Sequence, residues 1–367
     1  MRYSVFIPYA VFFFRLLFPS AVTGLIFIYI SSVFLLLGRA RVNIYLLSSV
    51  LFLNFLVLTS GNYDTGFLPF VVSLIPVSLF CVLMSCKFHS GFVQSFQNFF
   101  LICSFIVALV AIFQFLFSPN LFGLVEYKLA TYDTWYTSSF RVTSFFGSPQ
   151  NLGLLLGSAL FFRPSNARFL PWYYIIIVLA GTLTLSSMFG LMFFGALFRW
   201  FLSRYSVLKV TLFTTFVTIF AAPSIHLMDF RNTALESFSV VEVLELDRRF
   251  QIGQEASPLE LNFFGNGLGS ATQFLIDNNY IKGQKFEVES ALLGKFIEGG
   301  PFLLFLLVLA LSVPIYRAWI NVDERQWLIP RFFLLANALV VPAFMSIGAF
   351  LIALPLCVST YGEKYKG

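Results

Sequence analysis

Only 11% of the residues in this chain are charged, so few side chains are available for chemistry. Those that stand out fall in two stretches. Arg141 is the only arginine between residues 118 and 150 and lies in the run FRVTSFFGSPQNLG, 140–153. A guanidinium is always charged and forks onto phosphate oxygens; the competing role for an arginine at this kind of position is to snorkel toward lipid headgroups. Arg248 and Arg249, in DRRF, offer the same chemistry, or else form a surface pair with the adjacent Asp247. Glu287 and Glu289, in KFEVES, are carboxylates that can accept a proton from a hydroxyl. Either could instead be a solvated carboxylate near a helix start, where negative charge is favoured. Lys282, Lys285 and Lys295 are weaker cationic candidates, and His226 is a distant second as a base. The glycines of FFGNGLGS, 263–270, fit neither a phosphate-binding loop nor a dinucleotide fingerprint, and predict a tight turn with positive φ. Cys81, Cys86, Cys103 and Cys357 sit in or beside apolar runs without C-x-x-C spacing. With so few histidines and no clustered aspartates, no metal site or disulfide framework is expected.

The elements that must position these residues are apolar. The chain is 59% hydrophobic with 50 Phe, whereas a soluble domain carries about 25% charged residues. Apolar runs near the ~20 residues of a spanning helix recur throughout. The expected fold is therefore all-α: a single polytopic transmembrane bundle over residues 1–367. Spans are predicted near 4–18, 21–38, 42–59, 67–86, 99–117, 150–162, 170–185, 187–202, 207–223 and 291–313. The stretch 331–359 reads as a tight helix pair, which makes 12 crossings, or 11 if it is one helix. The N-terminal run, interrupted by Arg15, reads as an uncleaved first helix. Lys and Arg gather in alternate loops and most acids in the others, which places the N-terminus inside. The net charge of +6 then reflects topology and calls for no nucleic acid. Two large loops, 118–150 and 224–290, face the outer side, and loops of that size usually carry function. Glu298-Gly299-Gly300-Pro301 should break a helix, with a fresh one starting at Pro301. Such a break at membrane depth suits the wall of a cavity.

These motifs, in this order, resemble the O-antigen polymerase and ligase superfamily of bacterial surface-polysaccharide assembly. The resemblance rests on the block from Arg141 to Asn151, on Arg248-Arg249 followed by GNGLGS, on Glu289-Ser290 leading to Glu298-Gly299-Gly300, and on many helices with two outer loops. It covers roughly residues 100 to 315. Many relatives carry Ser-Arg where this chain has Ser187-Met188. Ligases of the superfamily carry His-Asn where this chain has Glu289-Ser290, which favours a polymerase.

The resemblance implies a multi-pass enzyme of the bacterial inner membrane. It would join oligosaccharide repeat units carried on undecaprenyl pyrophosphate into O-antigen, capsule or exopolysaccharide on the periplasmic side. No metal, cofactor, nucleotide sugar or ATP is expected. Arg141 and Arg249 would stabilise the pyrophosphate leaving group and Glu289 would activate the acceptor. Arg248, Lys285, Asn151 and Glu287 would hold substrate. Membrane lipid and a polysaccharide chain-length regulator are the candidate partners. The alternatives are a ligase-type transferase of lipid-linked glycan and a polysaccharide transporter or flippase.

Overall fold

The computed structural model describes residues 20–59, 74–117, 142–146, 149–163, 170–184, 186–205, 265–268, 291–340 and 347–361. The described residues are mostly helical. Two compact units are distinguished, one of Met1–Ser104 with Arg249–Gly367 and one of Phe105–Arg248.

In the first unit the helices are α1 (Ser20–Leu37), α2 (Ile44–Thr59), α3 (Ile75–Ser85) and the first part of α4 (Ser90–Phe117). The chain returns as α8 (Ala291–Ile320), a 3-10 turn (Val322–Trp327), α9 (Leu328–Val340) and α10 (Ile347–Cys357). Helix α8 packs on α2, α3 and α9, and α3 also meets α1 and α10. In the second unit are the rest of α4, α5 (Pro149–Ala159), α6 (Leu170–Leu183) and α7 (Ser187–Arg204). There α5 lies against both α6 and α7.

Two helices, Ser90–Phe117 and Gly294–Ile320, are long and apolar enough to cross a membrane. Their neighbours are apolar on the outward side too. Phe52 and Phe55 of α2 are 61% and 60% exposed, where a soluble fold would place polar residues.

Helices α1, α2, α6 and α7 lie within about two residues of their predicted spans, and α9, which begins at Leu328, and α10 fall in the region of 331–359. The spans expected at 4–18 and 207–223 lie outside the described residues. Helix α4 differs: it starts at Ser90, nine residues before the predicted 99. Its first turns, SGFVQSFQN, look like a polar loop. They are helical because Ser95 Oγ donates to the Gly91 carbonyl (2.8 Å) and Gln97 Nε2 donates to the Pro355 carbonyl (3.1 Å). Polar side chains that find backbone acceptors no longer require water.

A second unexpected feature is a small sheet of β1 (Arg41–Val42), β2 (Cys86–His89) and β3 (Ser359–Tyr361), in that spatial order. Strand β1 pairs antiparallel with β2, and β3 pairs parallel on the other side of β2. Two arginines anchor this end. Arg317 donates to the carbonyls of Ser85 and Cys86, each at 3.0 Å. Arg331, 1% exposed, donates to the carbonyls of Pro314 (2.7 Å) and Leu356 (2.9 Å) and to Glu324 Oε2 (2.8 Å). Of these, the Ser85 and Leu356 carbonyls lie at helix C-terminal ends, where partial negative charge favours cations.

Candidate functional site

In the first unit, α8 is interrupted at the predicted position. Gly299 (φ −130°, ψ 18°) and Gly300 (φ 62°, ψ −159°) leave helical geometry, and a regular helix resumes at Pro301. The break frees a specific group. In an uninterrupted helix the Ile297 carbonyl would accept from the amide of residue 301, but proline has no N–H. A buried carbonyl without a donor is costly, most of all away from water. The donor comes from the G-N-G turn: Asn266 N lies 2.8 Å from the Ile297 carbonyl, and Gly267 N lies 3.1 Å from the Glu298 carbonyl.

Both flanking glycines are required by conformation. Gly265 has φ 82° and Gly267 φ 101°, values that L side chains rarely adopt. At Gly265 the contact is also close. A Cβ there would collide with the Glu298 carbonyl oxygen and lie 2.6 Å from Gly300 N. Leu268, buried, anchors the far side of the turn.

Against this break lies an ion pair. Lys295 Nζ is 2.8 Å from Glu298 Oε2, and the two side chains are 1% and 3% exposed. Such a pair is poor evidence of stabilisation, because desolvating two charges offsets their attraction. In a segment otherwise apolar enough to enter a membrane, such a pair is a candidate functional feature. Next to it, Asn266 Nδ2 is buried with no hydrogen-bond partner among the described residues. The break thus brings a buried ammonium–carboxylate pair and a buried amide donor onto adjoining stretches of backbone.

The second unit contains the run that follows Arg141. Val142 N donates to the Leu183 carbonyl (3.3 Å). Thr143 N and Ser144 N both donate to Oε1 of Gln114 on α4, at 3.0 and 2.8 Å. Ser144 Oγ donates to the Val107 carbonyl (3.1 Å). These bonds hold Ser144 at φ 47°, an uncommon value for a residue with a side chain. The segment is therefore pinned to α4 before it enters α5 at Pro149.

Helix α5 then packs closely on α7 through small residues four apart. A Cβ on Gly153 would come within 2.7 Å of the Ser186 side chain, and one on Gly157 would collide with Met192. This is the small-xxx-small device that lets helices approach without bulky side chains. Asn151, on the first turn of α5, is 7% exposed, and among the described residues its Oδ1 and the Ser158 and Ser186 hydroxyls have no hydrogen-bond partner. Asn151 Oδ1 is an open acceptor suited to a hydroxyl donor.

Of the residues to which the resemblance gives a role, Asn151 alone is among the described residues. Arg141, Arg248, Arg249, Lys285, Glu287 and Glu289 lie outside them. Two residues gained importance. By sequence Glu298 reads as part of a helix break or as a solvated carboxylate, and Lys295 as a weaker cation; the structure pairs them in the interior. Their i,i+3 spacing inside an apolar run was the available signal.

Among the described residues the chain is thus mostly helical, with two membrane-capable helices, one of them broken and capped by a distant glycine turn. No family model, curated protein or solved structure matches it.

Proposed function

We propose that this chain is a polytopic membrane glycosyltransferase that polymerises lipid-pyrophosphate-linked oligosaccharide repeat units. The observation that supports this most is the break in α8. Irregular backbone at membrane depth is tolerated where protein or a water-filled cavity covers it. Here the G-N-G turn and the Glu298-Gly299-Gly300 segment meet, and both belong to the motifs on which the resemblance to the polymerase and ligase superfamily rests.

The reaction requires three services. A hydroxyl oxygen of the acceptor unit attacks the anomeric carbon of the growing glycan. The bond from that carbon to the pyrophosphate oxygen breaks, and the lipid pyrophosphate leaves with the electron pair. Arg141 and one or both of Arg248 and Arg249 stabilise the charge that builds on it. The acceptor proton passes to a carboxylate, with Glu289 in that role and Glu287 beside it. Asn151 and Lys285 hold sugar or phosphate oxygens. The chain would lie in the bacterial inner membrane as a multi-pass bundle, with the reaction on the outer side.

A second reading has a specific observation in its favour. A buried Lys295–Glu298 pair at a broken helix is also what a transporter or flippase uses to mark a substrate path. The deciding experiment offers radiolabelled lipid-linked repeat units to the purified, reconstituted protein. Longer lipid-linked chains support the polymerase. Transfer to a different acceptor identifies a ligase, and translocation without a new bond identifies a transporter.

A further inference from the structure

In the second unit one buried side chain holds a loop by its backbone. Gln114, near the C-terminal end of α4, is fully buried. It belongs to one of the two helices long and apolar enough to cross a membrane, so its amide has to find partners within the protein. Its Oε1 accepts from two consecutive backbone amides, Thr143 N at 3.0 Å and Ser144 N at 2.8 Å. Its Nε2 donates to Thr143 Oγ1 at 3.4 Å. A side-chain amide suits this place because one carbon carries both an acceptor with two lone pairs and a donor.

The segment so held is irregular and buried. Val142 and Ser144 are fully buried, and Thr143 and Phe146 nearly so. The amides of Val142, Thr143 and Ser144 are all engaged, the first by the Leu183 carbonyl at the end of α6 and the next two by Gln114. Ser144 Oγ adds a bond to the Val107 carbonyl at 3.1 Å. Val107, Ala111 and Gln114 are spaced to share one face of α4, and all three are fully buried. The segment therefore rests on about two turns of α4 and is tied at both ends of that stretch.

Ser144 has φ 47°, uncommon for a residue with a side chain. Such a conformation persists only where the surroundings over-determine it, and it concentrates where function needs a fixed geometry. Here the surroundings are Gln114 and Val107. Entry into the next helix does not call for them: α5 begins at Pro149 and is seated separately on α7 through Gly153 and Gly157. The fixed geometry is of use on the other side of the segment, where the chain joins Val142 directly to Arg141. An arginine side chain is long and has many rotamers. Only a defined backbone position makes its reach selective.

We propose that Gln114 is a positioning residue for Arg141: by holding Thr143 and Ser144 against α4, it fixes the point from which the guanidinium reaches the pyrophosphate. Gln114 touches no substrate and acts only through the chain. The proposal rests on the role given to Arg141 in the transferase reading.

Gln114→Leu is close in size and leaves both amides without their acceptor. With radiolabelled lipid-linked repeat units and the purified, reconstituted protein, kcat should fall roughly tenfold to a hundredfold, the scale of a misplacement of about an ångström, while KM changes little. The losses should not multiply. Added to Arg141→Ala, Gln114→Leu should cost little more, because the residue it acts through is gone. A second readout needs no activity. The four native cysteines are buried, so a spin label on Arg141→Cys reports on that position alone. Its spectrum should be broad with Gln114 in place and should sharpen in Gln114→Leu. If Gln114→Leu does not fold, Gln114→Asn, one methylene shorter, is read the same way with a smaller loss. Losses that multiply with those of Arg141→Ala overturn the proposal, as does a label equally immobile in folded Gln114→Leu. A kcat equal to wild type in the fraction that remains folded would make Gln114 merely structural and overturns it too. A wild type that makes no polymer defeats the transferase reading instead, and the label then still decides whether Gln114 fixes position 141.

Discussion

The backbone amide of Asn266 occupies the position, relative to the Ile297 carbonyl, that the missing amide of Pro301 leaves open, at 2.8 Å. Thirty-one residues of chain separate donor and acceptor, yet the bond between them makes the break in α8 tolerable. The turn and the break are therefore one structural unit, and damage to either should be felt by both.

Gly265 is the most sensitive position of that unit. Gly265→Ala introduces a Cβ at φ 82° that collides with the Glu298 carbonyl. Strain of about 1–3 kcal/mol is expected from the backbone conformation alone, lowering Tm in detergent. Gly190, on α7, has nothing within 4 Å of its ideal Cβ. Gly190→Ala should stabilise by roughly 0.5–1 kcal/mol, because alanine suits a helix interior better. Equal Tm changes in the two variants would show that the turn does not bear on the break.

The Lys295–Glu298 pair should show strong non-additivity. Lys295→Met leaves a carboxylate buried without its cation, at a cost of about 3–5 kcal/mol. Lys295→Met/Glu298→Gln removes both charges and should recover most of that loss. If the double variant is as stable as wild type but makes no product, the charges serve function. If it is stable and fully active, they are dispensable.

Arg141 is expected to act on the leaving group. Arg141→Ala should slow polymerisation about a hundredfold or more, the scale of losing one charged transition-state contact. Arg141→Lys should rescue poorly because an ammonium lacks the bidentate fork. Rates are compared in protein whose insertion and Tm match wild type. A normal rate in Arg141→Ala would remove this residue from the mechanism.

Glu289 is expected to take the acceptor proton. Glu289→Gln keeps the shape and removes the base, so it should abolish chain extension while lipid-linked donor still binds. Should Glu289→Gln extend chains normally and Glu287→Gln fail, the two roles are exchanged. Activity in both would end the carboxylate mechanism.

The sequence alone determined the helical character of the chain, the positions of most described helices and the place where α8 breaks. Each depends on local information. An apolar run of the right length has few ways to satisfy its backbone except as a helix, and Gly-Gly-Pro forbids the i→i−4 bonds at one place. The positive φ expected of the FFGNGLGS glycines was legible for the same reason, as Gly265 and Gly267 show. Tertiary structure decided what lies far apart in sequence. Strand β2 exists because residues 41–42 and 359–361 come alongside it, and two to four residues carry no strand signal of their own. The start of α4 at Ser90 depends on a carbonyl at Pro355. Lys295 and Glu298 could be seen as neighbours on a helix, but whether their charges met water or protein was a property of everything packed around them.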